Sequence, residues 1–216
     1  MLNRLQLALQ HTYDVDIPHR VEDFLFHDRE LATRMAGQGA VAPVPEQLFM
    51  VQDGRDINVS LYIERQVSQR LRHDDPVEHL HGGNLHDFLL ALEGVSHFLY
   101  LAWNAGHEKV ITLLEMELQA EVDKFVTALS LCREQGEPHS VEALLRHLFG
   151  PLRLRKDLNT HQRERYAAAH HYGARYCEAL AARLEGRPPG VPTLHAELRR
   201  FYRMGQAQKL AHIEEY

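Results

Sequence analysis

A chain of 216 residues that is 44% hydrophobic and 25% charged can bury a sizeable core, which excludes wholesale disorder. Its 24 Lys and Arg against 30 Asp and Glu leave a net charge of −6, so no basic footprint for nucleic acid covers the chain as a whole, and nucleic acid is not the expected partner. The two cysteines, Cys132 and Cys177, lack any C-x-x-C spacing, which excludes a disulfide framework or a cysteine zinc site and suits free thiols in a reducing cytoplasm.

The opening MLNRLQLALQHTYDVD has no uninterrupted apolar region and no small-residue cleavage site, so it does not read as a signal peptide. Leu2, Leu5 and Leu9, with Ala8 beside them, predict a short helix that Asp14, Asp16 and Pro18 interrupt. A second segment over 21–35 is ambiguous between helix and strand at DFLF, and 37–45 is a Gly/Pro connector. The runs 47–51 and 57–63 are rich in β-formers and are joined across Asp53-Gly54, a dipeptide favoured where a hairpin turn needs positive φ. Along the second run Ile57, Val59, Leu61 and Ile63 share one face and Asn58, Ser60 and Tyr62 the other, so one side should pack and the other be wet.

A helix starting near Glu64 should end in the polar stretch 73–84. The segment 85–104, LHDFLLALEGVSHFLYLAWN, comes next and is strongly apolar. At about 30 Å it reaches membrane-spanning length. Asp87, Glu93 and His97 interrupt it, however, and an acidic residue at a bilayer centre costs roughly 2.5 kcal/mol or more, so a buried helix of a soluble protein is expected and no membrane contact. After a turn at Ala105-Gly106 a second long helix is expected over 108–133, stopped by Gly136 and Pro138. Ser140 should cap a short helix ending at Phe149-Gly150-Pro151, Asn159 or Thr160 should cap a long helix reaching Glu185, and GRPPGVP should separate that from a last helix over 193–215. The sequence carries no internal repeat, which excludes a solenoid.

The expected fold is therefore mainly α, an antiparallel helical bundle with a small N-terminal α+β portion that contains a β-hairpin. Residues 1–75 would form that portion, with the hairpin near 47–63, and 76–216 the bundle, unless the two make one continuous domain.

Chemistry concentrates in the apolar run. Glu93 and His97 lie four residues apart, hence on one helical face, and an unpaired charge in so apolar a helix needs water, a partner or a metal. On a helical wheel His86, Glu93, His97 and Asn104 fall within a strip of roughly 40°. That strip is either the wet edge of a central helix or a polar seam facing other helices. On the following helix Val110, Leu114, Leu118, Val122, Phe125 and Leu129 define an apolar face, with Glu121 roughly 40° from its centre. Glu115 and Glu117 lie near its borders, while Gln119 and Asp123 fall toward its polar side. Glu117 and Glu121 can thus point toward Glu93 and His97, although Lys124 offers Glu121 a simple surface ion pair. On the third long helix Tyr166, His170, Gly173, Cys177, Leu180 and Leu184 form a core stripe that turns His170 inward or toward a groove.

If Glu93, His97, Glu121 and His170 converge, they offer a mixed carboxylate and imidazole site for a divalent metal such as iron, manganese or zinc. The ligand chemistry resembles that of di-iron helical bundles, which carry Glu-x-x-His on two helices, but the spacing here is Glu-x-x-x-His in a single copy. Without metal the same groups suit acid/base chemistry. The stretch 73–86 also holds Asp74, Asp75, Glu78, His79, His81 and His86, but beside Pro76 and Gly82-Gly83 it reads as a solvated connector. No P-loop, G-x-S-x-G or dinucleotide fingerprint is present. Two functions stay open: a cytoplasmic binding or accessory protein that contacts a partner protein or a second copy of itself, and a metal-dependent or acid/base enzyme with a site at Glu93, His97, Glu117, Glu121 and His170. The last helix, with Arg199, Arg200, Arg203 and Lys209 beside an apolar stripe, should dock on its own core or reach a partner.

Overall fold

A helix that is apolar around nearly its whole circumference has to sit inside other elements. In the computed structural model, which describes residues 1–37, 44–54, 56–136, 141–185 and 191–216, that helix is α4 (Leu85–Gly106), and Phe88, Ala91, Leu92, Val95 and Tyr100 along it are fully buried. It packs against α1 (Leu2–Tyr13), α3 (Arg65–His73), α5 (Leu113–Glu134) and the hairpin of β2 (Glu46–Asp53) and β3 (Asp56–Ile63). On α5 lie α6 (Val141–Phe149) and α7 (Thr160–Glu185), while α8 (Val191–Arg203) packs on α1 and α9 (Gln206–Glu214) on α7. The architecture is a mainly α antiparallel bundle with a small N-terminal α+β portion, as the sequence predicts. One cluster of buried side chains runs from Leu2 and Leu5 through Leu61 and Ile63 to Phe125, Phe201 and Ile213. Most of the connector expected over 37–45, Pro138, Ser140 and residues 186–190 lie outside the described residues.

The ambiguous segment 21–35 resolves into a short 3₁₀ turn (Val21–Phe24), a two-residue strand β1 (Leu25–Phe26) and α2 (Arg29–Ala36), whose Asp28 side chain accepts from Leu31 N. β1 pairs in parallel with β3, and β3 pairs antiparallel with β2, so β2 is an edge strand. The hairpin turns at Gly54 with φ of 62°, as Asp53-Gly54 implies. Leu61 and Ile63 face the main core, but the opposite face is not uniformly wet. Tyr62 is buried there with Ala32 and Phe49, because α2 covers that end of the sheet.

Two helix boundaries differ from expectation. The second long helix starts at Leu113, not near 108, because Thr112 and Glu115 form a reciprocal capping box, Oγ1 accepting from Glu115 N at 3.1 Å and Oε2 from Thr112 N at 2.8 Å. Val110, assigned to its apolar face, consequently stands 91% exposed in the preceding turn. The C-terminal helix breaks at Met204-Gly205 into α8 and α9, and both pieces dock on the core through Leu198, Phe201, Tyr202 and Ile213. Arg199 and Arg203 of α8 donate to the carbonyls of His11, Thr12, Tyr13 and Asp14, neutralising the unpaired C-terminal end of α1. Arg4 similarly clips the polar stretch 73–84 to α1 through Asp75 and Glu78.

Candidate metal centre

Glycine in the middle of a helix costs about 0.5–1 kcal/mol relative to alanine, so Gly94 at the centre of α4 needs a reason. The reason is close packing against the hairpin: a Cβ at Gly94 would stand 2.8 Å from Leu61 Cδ1 and 3.0 Å from Glu46 Oε1. The missing side chain thus opens the space into which the first residue of β2 sends its carboxylate. Hairpin register carries Glu46 there, since stepping along the ladder from Asp53↔Asp56 pairs it with Ile63 on the packed end of the sheet.

Glu46 meets Glu93 and His97, and one ligand atom from each lies within 4.8 Å of the others. His97 Nδ1 is 4.0 Å from Glu46 Oε1, and its Nε2 is 3.5 Å from Glu117 Oε2 on α5. Neither approach is a well-formed hydrogen bond, and Glu46 Oε1 and His97 Nε2 are both buried without a partner. Both residues are more than nine-tenths buried, at 7% and 8% exposed. Glu117 is held from its far side by Arg165 Nε at 3.3 Å. Lys124 bridges Glu93 at 3.1 Å and Glu121 at 2.8 Å with only 12% of its side chain exposed, so the Glu121 pair is a largely enclosed bridge and not the surface pair its spacing suggests.

Charge does not balance here. The carboxylates of Glu46, Glu93, Glu117 and Glu121 face two permanent cations, Lys124 and Arg165, leaving two negative charges over. In the metal-free protein protons fill that gap. Burial and the neighbouring Glu93 carboxylate push Glu46 up to about 8. Burial opposes the charge on His97, but Glu117, Glu46 and Glu93 outweigh it and raise the ring to about 9. Burial likewise opposes ionisation of Glu93, where Lys124 and His97 prevail and hold its carboxyl below the usual range. Burial also resists the charge on Lys124, which the Glu93 and Glu121 carboxylates nevertheless keep above its ordinary value.

Of the residues singled out in the sequence, Glu93, His97 and Glu117 converge. Glu121 is joined to them only through Lys124, and His170 lies apart, its Nε2 3.2 Å from the Gly150 carbonyl. The strip along α4 is a seam at His97 and Asn104, both buried, and wet only at His86. Glu46 has no motif to mark it. The available sign is the register, which puts a carboxylate opposite the packed Ile63.

A second buried polar network was also invisible to the wheel, which turned Gln119 and Asp123 toward solvent. Both are fully buried, because α1 and α4 close over Asp123 and α9 brings Lys209 onto Gln119. Asp123 accepts from Tyr13 of α1, from Ser96 of α4 at 2.6 Å and from Gln119 at 2.8 Å. Lys209 of α9, with no exposed surface, donates to Gln119 Oε1 at 2.6 Å and lies over the rings of Tyr100 and Phe201. Burial pulls its ammonium down to about 7, against the attraction of Asp123 and Glu115. No helix among the described residues is long and apolar enough to cross a membrane. Comparison with protein families, curated proteins and solved structures finds no match for this chain.

Proposed function

We propose that this protein binds one divalent transition metal at Glu46, Glu93 and His97, with Glu117 orienting the imidazole, and that the centre serves Lewis-acid chemistry. The observation that carries this reading is Glu46 Oε1, buried and unpartnered 4.0 Å from His97 Nδ1, in a cluster whose four carboxylates outnumber its permanent cations by two, while His97 Nε2 faces Glu117. A dication balances that excess, and burying unpaired carboxylates without one is costly. Two carboxylates and one imidazole are donors suited to manganese, iron or zinc. An ion about 2.0–2.2 Å from each donor draws them closer than they stand, a contraction that torsions of the two Glu side chains supply. Three protein ligands leave coordination positions for water or substrate, the arrangement of a reactive site and not of a closed structural one.

The test is metal analysis and titration on protein purified without a polyhistidine tag. About one equivalent of manganese, iron or zinc, lost in the Glu46→Gln, His97→Ala double variant, supports the reading. Wild-type protein that takes up none of these ions at micromolar concentration overturns it. A metal-free acid/base role for His97 and Glu46 then remains, to be sought by a substrate screen.

The accessory reading has its own support. Among the described residues β2 is an edge strand, with Met50 49% and Val51 59% exposed, and an edge strand of that kind can pair with another chain. A second copy of the protein is the partner we propose for it, and sedimentation of wild type against Val51→Lys tests this. A monomer at all concentrations removes it. Cys132 and Cys177, both buried and outside any disulfide, accord with a cytoplasmic location.

A further inference from the structure

Beside the candidate metal centre, and sharing Glu93 with it, a groove of about 530 Å³ opens between α4, α5, α7 and the turn that follows α6. Its floor is apolar, with Leu89, Leu90 and Leu148, and its walls carry Lys124, Arg146 and Arg153 with His86, His147 and His170. The charges divide unevenly. Lys124 is committed to the groove's two carboxylates, Glu93 and Glu121. Arg146 and Arg153 have no carboxylate partner among the described residues and are exposed. Two guanidinium groups therefore line the groove without an ion-pair partner, against the one negative charge by which Glu93 and Glu121 exceed Lys124. The turn that presents Arg153 is fixed from behind, where the His170 ring meets the Gly150 carbonyl at 3.2 Å and packs against Phe149.

We infer that this groove binds a small organic phosphate, its phosphoryl group held by Arg146 and Arg153 and its organic part on the floor of Leu89, Leu90 and Leu148. Guanidinium groups form paired, charge-assisted hydrogen bonds to phosphoryl oxygens, and two of them recognise a dianion better than a monoanion of the same size. A pocket with an apolar floor and a few convergent polar groups is the form that small-molecule sites take. The inference does not require metal at Glu46, Glu93 and His97.

The experiment is titration of metal-free protein with phenyl phosphate, with inorganic phosphate and with phenylacetate, in wild type and in Arg146→Gln, Arg153→Gln. Phenyl phosphate should bind saturably and more tightly than either of the others, and the double variant should weaken it by roughly tenfold or more. Both arginines are exposed, so the melting temperature without ligand should not change. Should the double variant melt early, each single variant reads part of the same loss. Failure to bind phenyl phosphate at millimolar concentration, equal binding of phenylacetate, or undiminished binding in the variants overturns the proposal. Because no metal is present, these outcomes do not depend on whether the metal reading stands.

Discussion

Glu46 Oε1 stands 4.0 Å from His97 Nδ1, bringing a carboxylate from the first residue of an edge strand against an imidazole at the middle of the central helix. This approach, added to the packing of Leu61 and Ile63 on the bundle, brings the proposed ligands together, so the contributions of individual residues to metal binding are expected to be sharply unequal. Glu46→Gln, Glu93→Gln and His97→Ala should each weaken zinc or manganese by on the order of 100-fold, as large as the strongest effects of supporting residues around a metal. Glu121→Gln and His170→Ala should stay within about threefold of wild type. Competition against a chromogenic chelator measures all five, and a His170→Ala loss as large as that of Glu46→Gln would refute the assignment.

Gly94 offers a test that leaves every ligand in place. Alanine favours helix over glycine by about 1 kcal/mol, so a helical Gly→Ala change in open space stabilises. Here the new Cβ meets Leu61 at 2.8 Å and Glu46 at 3.0 Å. Overpacking of this kind costs about 1–3 kcal/mol, so Gly94→Ala should lower stability to denaturant and, by displacing Glu46, weaken metal as well. A stabilised variant with full affinity would show that the carboxylate has room to move and that Gly94 does not hold the site open.

The bundle and the hairpin are legible in the sequence because both follow from periodicity and turn chemistry. Asp53-Gly54, the apolar run of α4 and the Asn159 cap each state their element locally, the last confirmed by Asn159 Oδ1 accepting from Gln162 N at 2.9 Å. What a single helical wheel does not contain is the number of neighbours a helix has. Asp123 and Gln119 look solvent-facing from α5 alone and are buried because Tyr13 of α1, Ser96 of α4 and Lys209 of α9 meet them there. Glu46 is hidden for the same reason: its side chain becomes part of a site only when the strand register lays it over Gly94. Glu93 and His97 are legible because their partners had to exist, while the identity of those partners depends on tertiary packing.

Asp123 joins three elements, and its removal should be felt in all of them. Asp123→Ala leaves Tyr13 Oη, Ser96 Oγ and Gln119 Nε2 without their shared acceptor inside the core. Each orphaned buried donor costs about 1 kcal/mol or more, so a loss on the order of 3 kcal/mol in guanidinium unfolding is expected. Hydrogen exchange should show α1 opening first, since Tyr13 is its last residue and stacks on Tyr202 of α8. A loss below about 1 kcal/mol would mean that water or Lys209 takes over the vacated role.

Lys209 gives the chain a pH dependence whose sign follows from burial. Its folded-state value of about 7 lies below the ordinary 10.5, so between these limits the unfolded chain holds a proton that the folded chain has released. Stability rises with pH wherever the unfolded state binds more protons, and the cost of burying Lys209 is felt most at and below pH 7. Other groups also titrate here, notably Glu46 near 8 and His97 near 9, which push the opposite way. Comparing wild type with Lys209→Met cancels them, because methionine fills similar space and carries no proton. The stability of wild type relative to Lys209→Met should therefore climb from pH 7 to pH 9 with a slope approaching about 1.4 kcal/mol per pH unit. Guanidinium unfolding of both proteins at the two pH values reads that slope directly. A constant difference would mean that Gln119 and the Tyr100 and Phe201 rings keep Lys209 charged throughout, and that this buried ammonium is balanced where it lies.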